Sequence, residues 1–97
     1  MIEYGRDRVK EAENVRQHGV SFDEAIVALR DPFKIEWFDV AHSDEEPRFV
    51  TIGRELRGRF LAVVTSDSGD RPRIISARRA TKRERNAYEL QRPLGAG

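Results

Sequence analysis

The residues best suited to chemistry form a cationic stretch near the end of the sequence. Six of the thirteen positions from 73 to 85 are basic: Arg73, Arg78, Arg79, Lys82, Arg83 and Arg85. Guanidinium groups form planar, two-pronged hydrogen bonds with phosphate. Three of these cations fall in the first turns of a predicted helix, where each opposes the helix dipole by about 0.3–1 kcal/mol. The stretch therefore predicts an anion site, with ion pairing to Glu84, Glu89 or the acidic first half as the structural alternative.

A second candidate for chemistry is His42, which lies among carboxylates in the loop from Asp39 to Arg48. A histidine in such a setting can act as a general acid or base. His18 stands at the expected end of a helix, where a cation neutralises the last carbonyl groups. For either histidine a purely structural role is the commoner outcome.

Several kinds of site have no sequence signature here. Two histidines without cysteine do not make a convincing zinc site, and no loop has EF-hand spacing. Neither the glycine loop of nucleotide enzymes nor the nucleophile elbow of hydrolases is present. We therefore expect no metal and no cofactor.

The charge is divided unevenly along the 97 residues. Positions 1–47 carry 6 basic and 12 acidic residues, a balance of −6, whereas positions 48–97 carry 12 and 5, a balance of +7. Fifteen of the 18 basic residues are arginine. This asymmetry predicts a polyanionic partner for the second half, although an arginine-rich genome would produce the same composition.

The first third of the chain predicts two helices. One runs from about Asp7 to His18 and is closed by Gly19, a residue suited to a left-handed helix end. The next begins with a capping box formed by Ser21 and Glu24, and Asp31-Pro32 ends it.

The rest of the chain predicts a meander of about four strands and a last helix. The strand signals are residues 35–40, 48–53, 59–65 and 73–79, with a hairpin turn over 55–58. On the last strand, Ile74 and Ser76 should share the face of Arg78. A second capping box at Thr81 opens a helix that Pro93 must end. The prediction is a single α+β domain spanning residues 1–97.

The composition excludes other classes of protein. No apolar run approaches the roughly 20 residues needed to span a bilayer, and the start has no secretory-signal pattern. We therefore expect a cytoplasmic protein that does not bind membranes. Trp37, Phe38, Phe49 and Phe60 lie in strand patterns and are expected in the core, whereas Tyr88 suits either core packing or a binding surface.

Several motifs together resemble the BrnT family, the toxins of a bacterial type II toxin–antitoxin system. An opening motif runs from Asp7 through Asn14 to the run His18–Phe22, and Asp31-Pro32 follows. The acidic loop contributes Asp39, His42, Glu46 and Arg48. The most specific part is the block Arg73–Arg78, followed by Ala80, Glu84, Arg85 and Tyr88. The resemblance covers roughly residues 4–90.

This resemblance implies a RelE-like fold and a metal-independent ribonuclease that slows translation. It also implies neutralisation by an antitoxin of ribbon–helix–helix type, through which the complex would bind operator DNA. As a hypothesis for catalysis, Arg78 with Arg54 or Arg48 would hold the phosphate, and His42 or Glu46 would transfer protons. Tyr88 would pack or stack on a base, and the remaining RNA contacts would come from Arg73, Arg79, Lys82, Arg83 and Arg85. The competing hypothesis is a non-catalytic module that binds RNA or an antitoxin.

Overall fold

The computed structural model describes residues 2–43, 46–67 and 69–95, and it has the predicted α+β architecture. The three helices are α1 (Arg8–His18), α2 (Phe22–Leu29) and α3 (Lys82–Leu90). The four strands are β1 (Ile35–Phe38), β2 (Arg48–Arg54), β3 (Phe60–Ser66) and β4 (Arg73–Arg79). They form one antiparallel sheet in the order β1-β2-β3-β4, so each strand pairs with its neighbour in sequence.

The helices cover opposite faces of this sheet. On one face, α1 and α2 enclose a core that contains Phe22, Leu61 and Val63. On the other face, α3 packs through Ala87 near Ile52 and Ala62. Because Leu61 and Val63 alternate with Ala62 along β3, this strand is covered on both sides, as its apolar sequence predicts.

The predicted helix boundaries are confirmed by their caps. Ser21 and Glu24 form one reciprocal capping box, and Thr81 and Glu84 form the other. The helix α1 ends at Gly19, whose φ of 67° is left-handed. These local signals hold because each cap satisfies backbone groups that the helix leaves without partners.

The close approach of α2 to the sheet depends on Gly53 in β2. A Cβ atom at this position would lie 2.1 Å from the carbonyl oxygen of Ala28, well inside van der Waals contact. The backbone of Gly53 has ordinary strand geometry. Glycine is therefore required here because there is no room for a side chain, and not because of an unusual backbone conformation.

The last strand departs from the predicted alternation. A register shift between Val64 and Thr65 pairs Val64 with Ser76 but Thr65 with Ile74. Ile74 is consequently buried with Ala77 in the core beneath α1 and α2, and the prediction that it shares the face of Arg78 is wrong. A bulge moves one residue across the sheet, and simple alternation does not reveal it.

The first strand is shorter than its β-forming sequence suggests. It ends at Phe38, so Asp39 and Val40 of the predicted strand lie outside it, and a 3₁₀ turn, Val40–His42, follows. The hydroxyl of Ser43 donates to the carbonyl of Asp39 at 2.5 Å, which fixes this turn. No helix within the described ranges is long and apolar enough to cross a membrane.

Both halves of the outer edge of β4 are occupied. The backbone of Gly5 exchanges hydrogen bonds with Pro72 and Ile74 at 2.8 and 2.9 Å. Further along, the buried side chain of Asn14 accepts from the Ala77 N–H at 3.0 Å and donates to the Ala77 carbonyl at 2.8 Å. The chain therefore covers an edge that would otherwise be open for pairing with another strand.

Candidate functional site

The predicted site residues lie at two opposite ends of the sheet. Arg54, Phe60 and Arg79 mark one end, here called the hairpin end because the β2–β3 turn lies there. Arg48, Ser66 and Arg73 mark the other, here called the loop end. Six residue steps separate the two ends of each strand, a distance of about 20 Å at 3.3 Å per residue.

His42, Glu46, Arg48 and Arg73 belong to the loop end. The side chain of His42 is 70% exposed, and its Nδ1 lies 3.0 Å from the Asp39 carboxylate. Arg73 donates to Glu46 at 3.1 Å, so these two predicted residues form an ion pair. The Nε of Arg48 is buried and has no hydrogen-bond partner among the described residues. At the loop end, the two predicted proton-transfer groups, His42 and Glu46, therefore each interact with a neighbouring side chain.

The hairpin end gathers cations around an aromatic ring. The guanidinium of Arg54 lies 5.0 Å from the centre of the Phe60 ring, and that of Arg85 lies 4.9 Å from it. Tyr88 packs edge-on against the same ring, with 5.1 Å between the centres. A cation over an aromatic face is attracted by the ring quadrupole, so Phe60 positions both arginines. The expectation that Phe60 is simply a core residue is therefore incomplete, since the ring is only partly buried.

Beside these cations, Tyr88 forms a hydrogen bond that joins the two helical layers. Its hydroxyl donates to Oδ2 of Asp31 at 2.7 Å, and the Arg54 backbone N–H donates to the same oxygen at 2.8 Å. Burial and the bond to Asp31 together raise the pKa of Tyr88 to about 12. Burial raises the pKa of Asp31, but the bonds from Tyr88 and from two backbone N–H groups outweigh it, and the net pKa lies below its ordinary value. At neutral pH this pair is a phenol facing a carboxylate.

Arg78 also lies towards the hairpin end, but its side chain has a partner. It donates two hydrogen bonds to Glu84, at 2.7 and 2.9 Å, while Glu84 also accepts from the backbone N–H of Thr81. Burial raises the pKa of Glu84, but the hydrogen bonds from Arg78 and Thr81 outweigh it and leave that pKa below its ordinary value. The anion expected at the start of α3 is thus supplied in part by the protein itself.

The other cations of this region have no such partner. Within the described part of the chain, no carboxylate oxygen lies within 4.0 Å of five basic groups, those of Arg54, Arg79, Lys82, Arg83 and Arg85. By contrast, Arg57 and Arg59 are held by Glu24 and Glu55 next to the hairpin turn. Three of the five, Arg54, Arg79 and Arg85, lie at the hairpin end. Arg83 instead lines a cavity with Trp37 and Asp39.

Sequence reasoning overlooked Asp31, which it treated as the end of a helix. Its bond to Tyr88 joins residues 57 positions apart, and no local pattern carries that information. Among the described residues, no cluster of three or more histidine, aspartate or glutamate side chains could hold a metal ion.

Comparison with known proteins gives a family and a similar fold. The family model described as "Ribonuclease toxin, BrnT, of type II toxin-antitoxin system" matches residues 7–84. The chain is also similar in fold to the crystal structure of the ribonuclease toxin BrnT of Brucella abortus, with 21% sequence identity and a TM-score of 0.58. That similarity covers 84% of this chain and all of the Brucella chain. A search of curated protein sequences gives no match.

Proposed function

Since the chain belongs to the BrnT family of ribonuclease toxins of type II toxin–antitoxin systems, we propose that it cleaves RNA at the hairpin end of its sheet. The cleavage would need no metal ion and would slow translation in the cytoplasm. An antitoxin of ribbon–helix–helix type would neutralise the toxin, and their complex would bind operator DNA. The observation that carries the choice of site is the pair of arginines on Phe60, neither of which has a carboxylate partner in the described structure.

The electrostatics of RNA cleavage support this choice. In metal-free cleavage the 2′-hydroxyl of the substrate loses its proton to water and attacks the adjacent phosphorus, and the P–O5′ bond then breaks. Negative charge accumulates on the phosphorane oxygens between these two events. Fixed donors aimed at that charge supply much of the catalysis in such sites. Arg54 and Arg85 are held in place by the Phe60 ring and are available to phosphate, whereas the two-pronged face of Arg78 is occupied by Glu84. We therefore assign the phosphate to Arg54 and Arg85, and we assign Arg78 to the ion pair that joins β4 to the start of α3.

The same location supplies a proton donor. Tyr88, whose pKa is raised to about 12, is protonated at neutral pH. In the resting protein this proton is donated to Asp31 at 2.7 Å, which holds the hydroxyl in place. A departing 5′-oxygen is a much stronger base than the carboxylate, so the O–H turns from Asp31 to that oxygen, and the phenolate then takes a proton back from water. His42 and Glu46 lie about 20 Å of strand away from Arg54 and do not fit this role. Proton transfer is thus reassigned to Tyr88, with Asp31 as its positioning residue.

The proposal is tested by RNA cleavage in the presence of EDTA. The wild-type protein is expected to cut purified RNA, and Arg54→Ala should lower the rate by roughly a hundredfold, as the loss of one charge-stabilising donor does elsewhere. Arg8→Ala removes the same charge from an exposed position on α1 and should leave the rate unchanged. Full activity in Arg54→Ala would refute the assignment of the site.

Expression in cells separates an enzyme from a binding module. The wild-type chain should arrest growth when it is induced alone, Arg54→Ala should not, and co-expression of the adjacent-gene antitoxin should relieve the arrest. If purified protein binds RNA but neither cuts it nor arrests growth, the non-catalytic alternative is correct.

A further inference from the structure

A groove of about 500 Å³ opens beside Arg54 and Tyr88 at the hairpin end. Apolar side chains form much of its lining, among them Val27 and Pro32. Two more, Phe33 and Leu56, reach into solvent, with 65% and 88% of their surface exposed. The volume falls within the roughly 300–1,000 Å³ that is typical of ligand sites. An open apolar groove therefore adjoins the proposed phosphate site.

Phe33, one of two aromatic residues that line the groove, is held by its backbone. The N–H of Phe33 donates to Asp31 at 2.9 Å, and its carbonyl accepts from the Gln91 side chain at 2.8 Å. The ring thus projects from a segment that is fixed on both sides. A surface that is ordered before binding loses little conformational entropy when a ligand arrives.

Two arginines of the groove are free to contact the phosphates of an anionic chain. Arg30 and Arg54 both line it, and in the described structure neither lies within 4.0 Å of a carboxylate oxygen. Two carboxylates also line the groove, but both are engaged. Asp31 accepts three hydrogen bonds, and Glu55, which is 6% exposed, is paired with Arg59.

We propose that this groove is a base-binding subsite, in which an unpaired base of single-stranded RNA stacks on Phe33 while the RNA backbone runs past Arg30 and Arg54. This inference rests on the proposed function and adds a subsite to it. Single-stranded RNA is bound elsewhere by aromatic platforms in cationic grooves, because every base offers a face for stacking. The continuity of the groove with the unpaired arginines favours RNA over an apolar protein segment as its occupant.

The test measures how tightly protein variants bind two ligands, one with bases and one without. The probe is a fluorescent hexanucleotide whose 2′-hydroxyls are replaced by fluorine, so that it cannot be cut, together with the same hexanucleotide without bases. We expect Phe33→Ala to weaken binding of the normal probe about tenfold and to leave binding of the abasic probe unchanged. Phe33→Trp should keep the affinity, since it keeps a stacking face.

Two further variants serve as controls for this comparison. Leu90→Ala removes an apolar side chain of similar exposure, 67%, from α3 outside the groove, and should affect neither probe. Arg54→Ala removes a phosphate contact and should weaken both probes alike.

Each contrary result has a distinct meaning. If Phe33→Ala affects both probes equally or neither, while Arg54→Ala weakens both, the base subsite is refuted and the proposed RNA site stands. If Arg54→Ala also has no effect, the RNA site itself is wrong. If Phe33→Ala weakens only the complex with the antitoxin, the groove is a protein-docking surface and our inference is overturned.

Discussion

Arg78 of β4 and Glu84 of α3 form a two-pronged ion pair, with N–O distances of 2.7 and 2.9 Å. The carboxylate that receives this fork is 10% exposed and also caps α3 through the N–H of Thr81. The pair therefore joins the last strand to the start of the last helix. The arginine that the sequence analysis assigned to phosphate thus has a carboxylate partner in the folded chain.

Replacing Arg78 by alanine should therefore destabilise the protein. We expect a loss of about 1–2 kcal/mol, less than the 3–5 kcal/mol of fully buried pairs, because 40% of the Arg78 side chain reaches solvent. The measurement is the free energy of unfolding in urea. Arg79→Ala, at the next position, removes an exposed arginine without a carboxylate partner and should change stability by less than about 0.5 kcal/mol. Equal losses in the two variants would contradict the role given to the ion pair.

The same pair should contribute to acid denaturation. The pKa of Glu84 is lower in the folded protein than in the unfolded chain, so protons bind the unfolded state more readily. Its contribution to stability is therefore present above about pH 4.5 and is lost as the pH falls through the lowered pKa. Glu84→Gln should be less stable at pH 7 and should lose less stability between about pH 5 and pH 3 than the wild type. Thermal melting across this range checks both expectations, and parallel curves would contradict them.

The sequence predicts this fold well because its signals are local. A capping box needs residues three positions apart, and a strand needs alternation over a few residues, so Thr81 with Glu84 or the run 48–53 can be interpreted without knowledge of the rest. The site depends instead on contacts between distant parts of the chain. Asp31 reaches Tyr88 only because α2 and α3 end near each other at the hairpin end. His42 is close in sequence to Arg48, which begins β2, whereas Arg54 lies at the other end of that strand.

The buried side chain of Asn14 should be essential for stability. It makes hydrogen bonds of 2.8–3.0 Å with the backbone of Val20 and Ala77, and it is 5% exposed. Asn14→Ala would leave the edge of β4 with unsatisfied buried groups, at a cost of about 2–3 kcal/mol. Gln17→Ala, on an exposed position of the same helix, is the control. The free energy of unfolding is measured in urea. If Asn14→Ala lowers it by less than about 0.5 kcal/mol, water replaces the amide.

Gly53→Ala should disturb the packing of α2 on the sheet. The new methyl group would lie 2.1 Å from the Ala28 carbonyl oxygen, and backbone atoms cannot move aside without shifting the helix. We expect a loss of about 3 kcal/mol, at the upper end of typical overpacking costs. Differential scanning calorimetry should show a fall in Tm of roughly 10 °C or more for a domain of this size. Gly95→Ala, whose methyl group would lie 3.7 Å from Trp37, should melt like the wild type.

Proton transfer at the hairpin end and proton transfer at the loop end predict opposite effects of replacing Tyr88 and His42. Tyr88→Phe removes only the hydroxyl that donates to Asp31, keeps the ring that packs on Phe60, and should lower the cleavage rate by about 10²–10⁴-fold. His42→Ala removes an exposed imidazole about 20 Å of strand from Arg54 and should leave the rate within a factor of two. Single-turnover cleavage of one RNA by folded samples of both variants decides between the ends. The reverse ranking would move proton transfer to the loop end, where Glu46 and Arg73 would then become the residues to test.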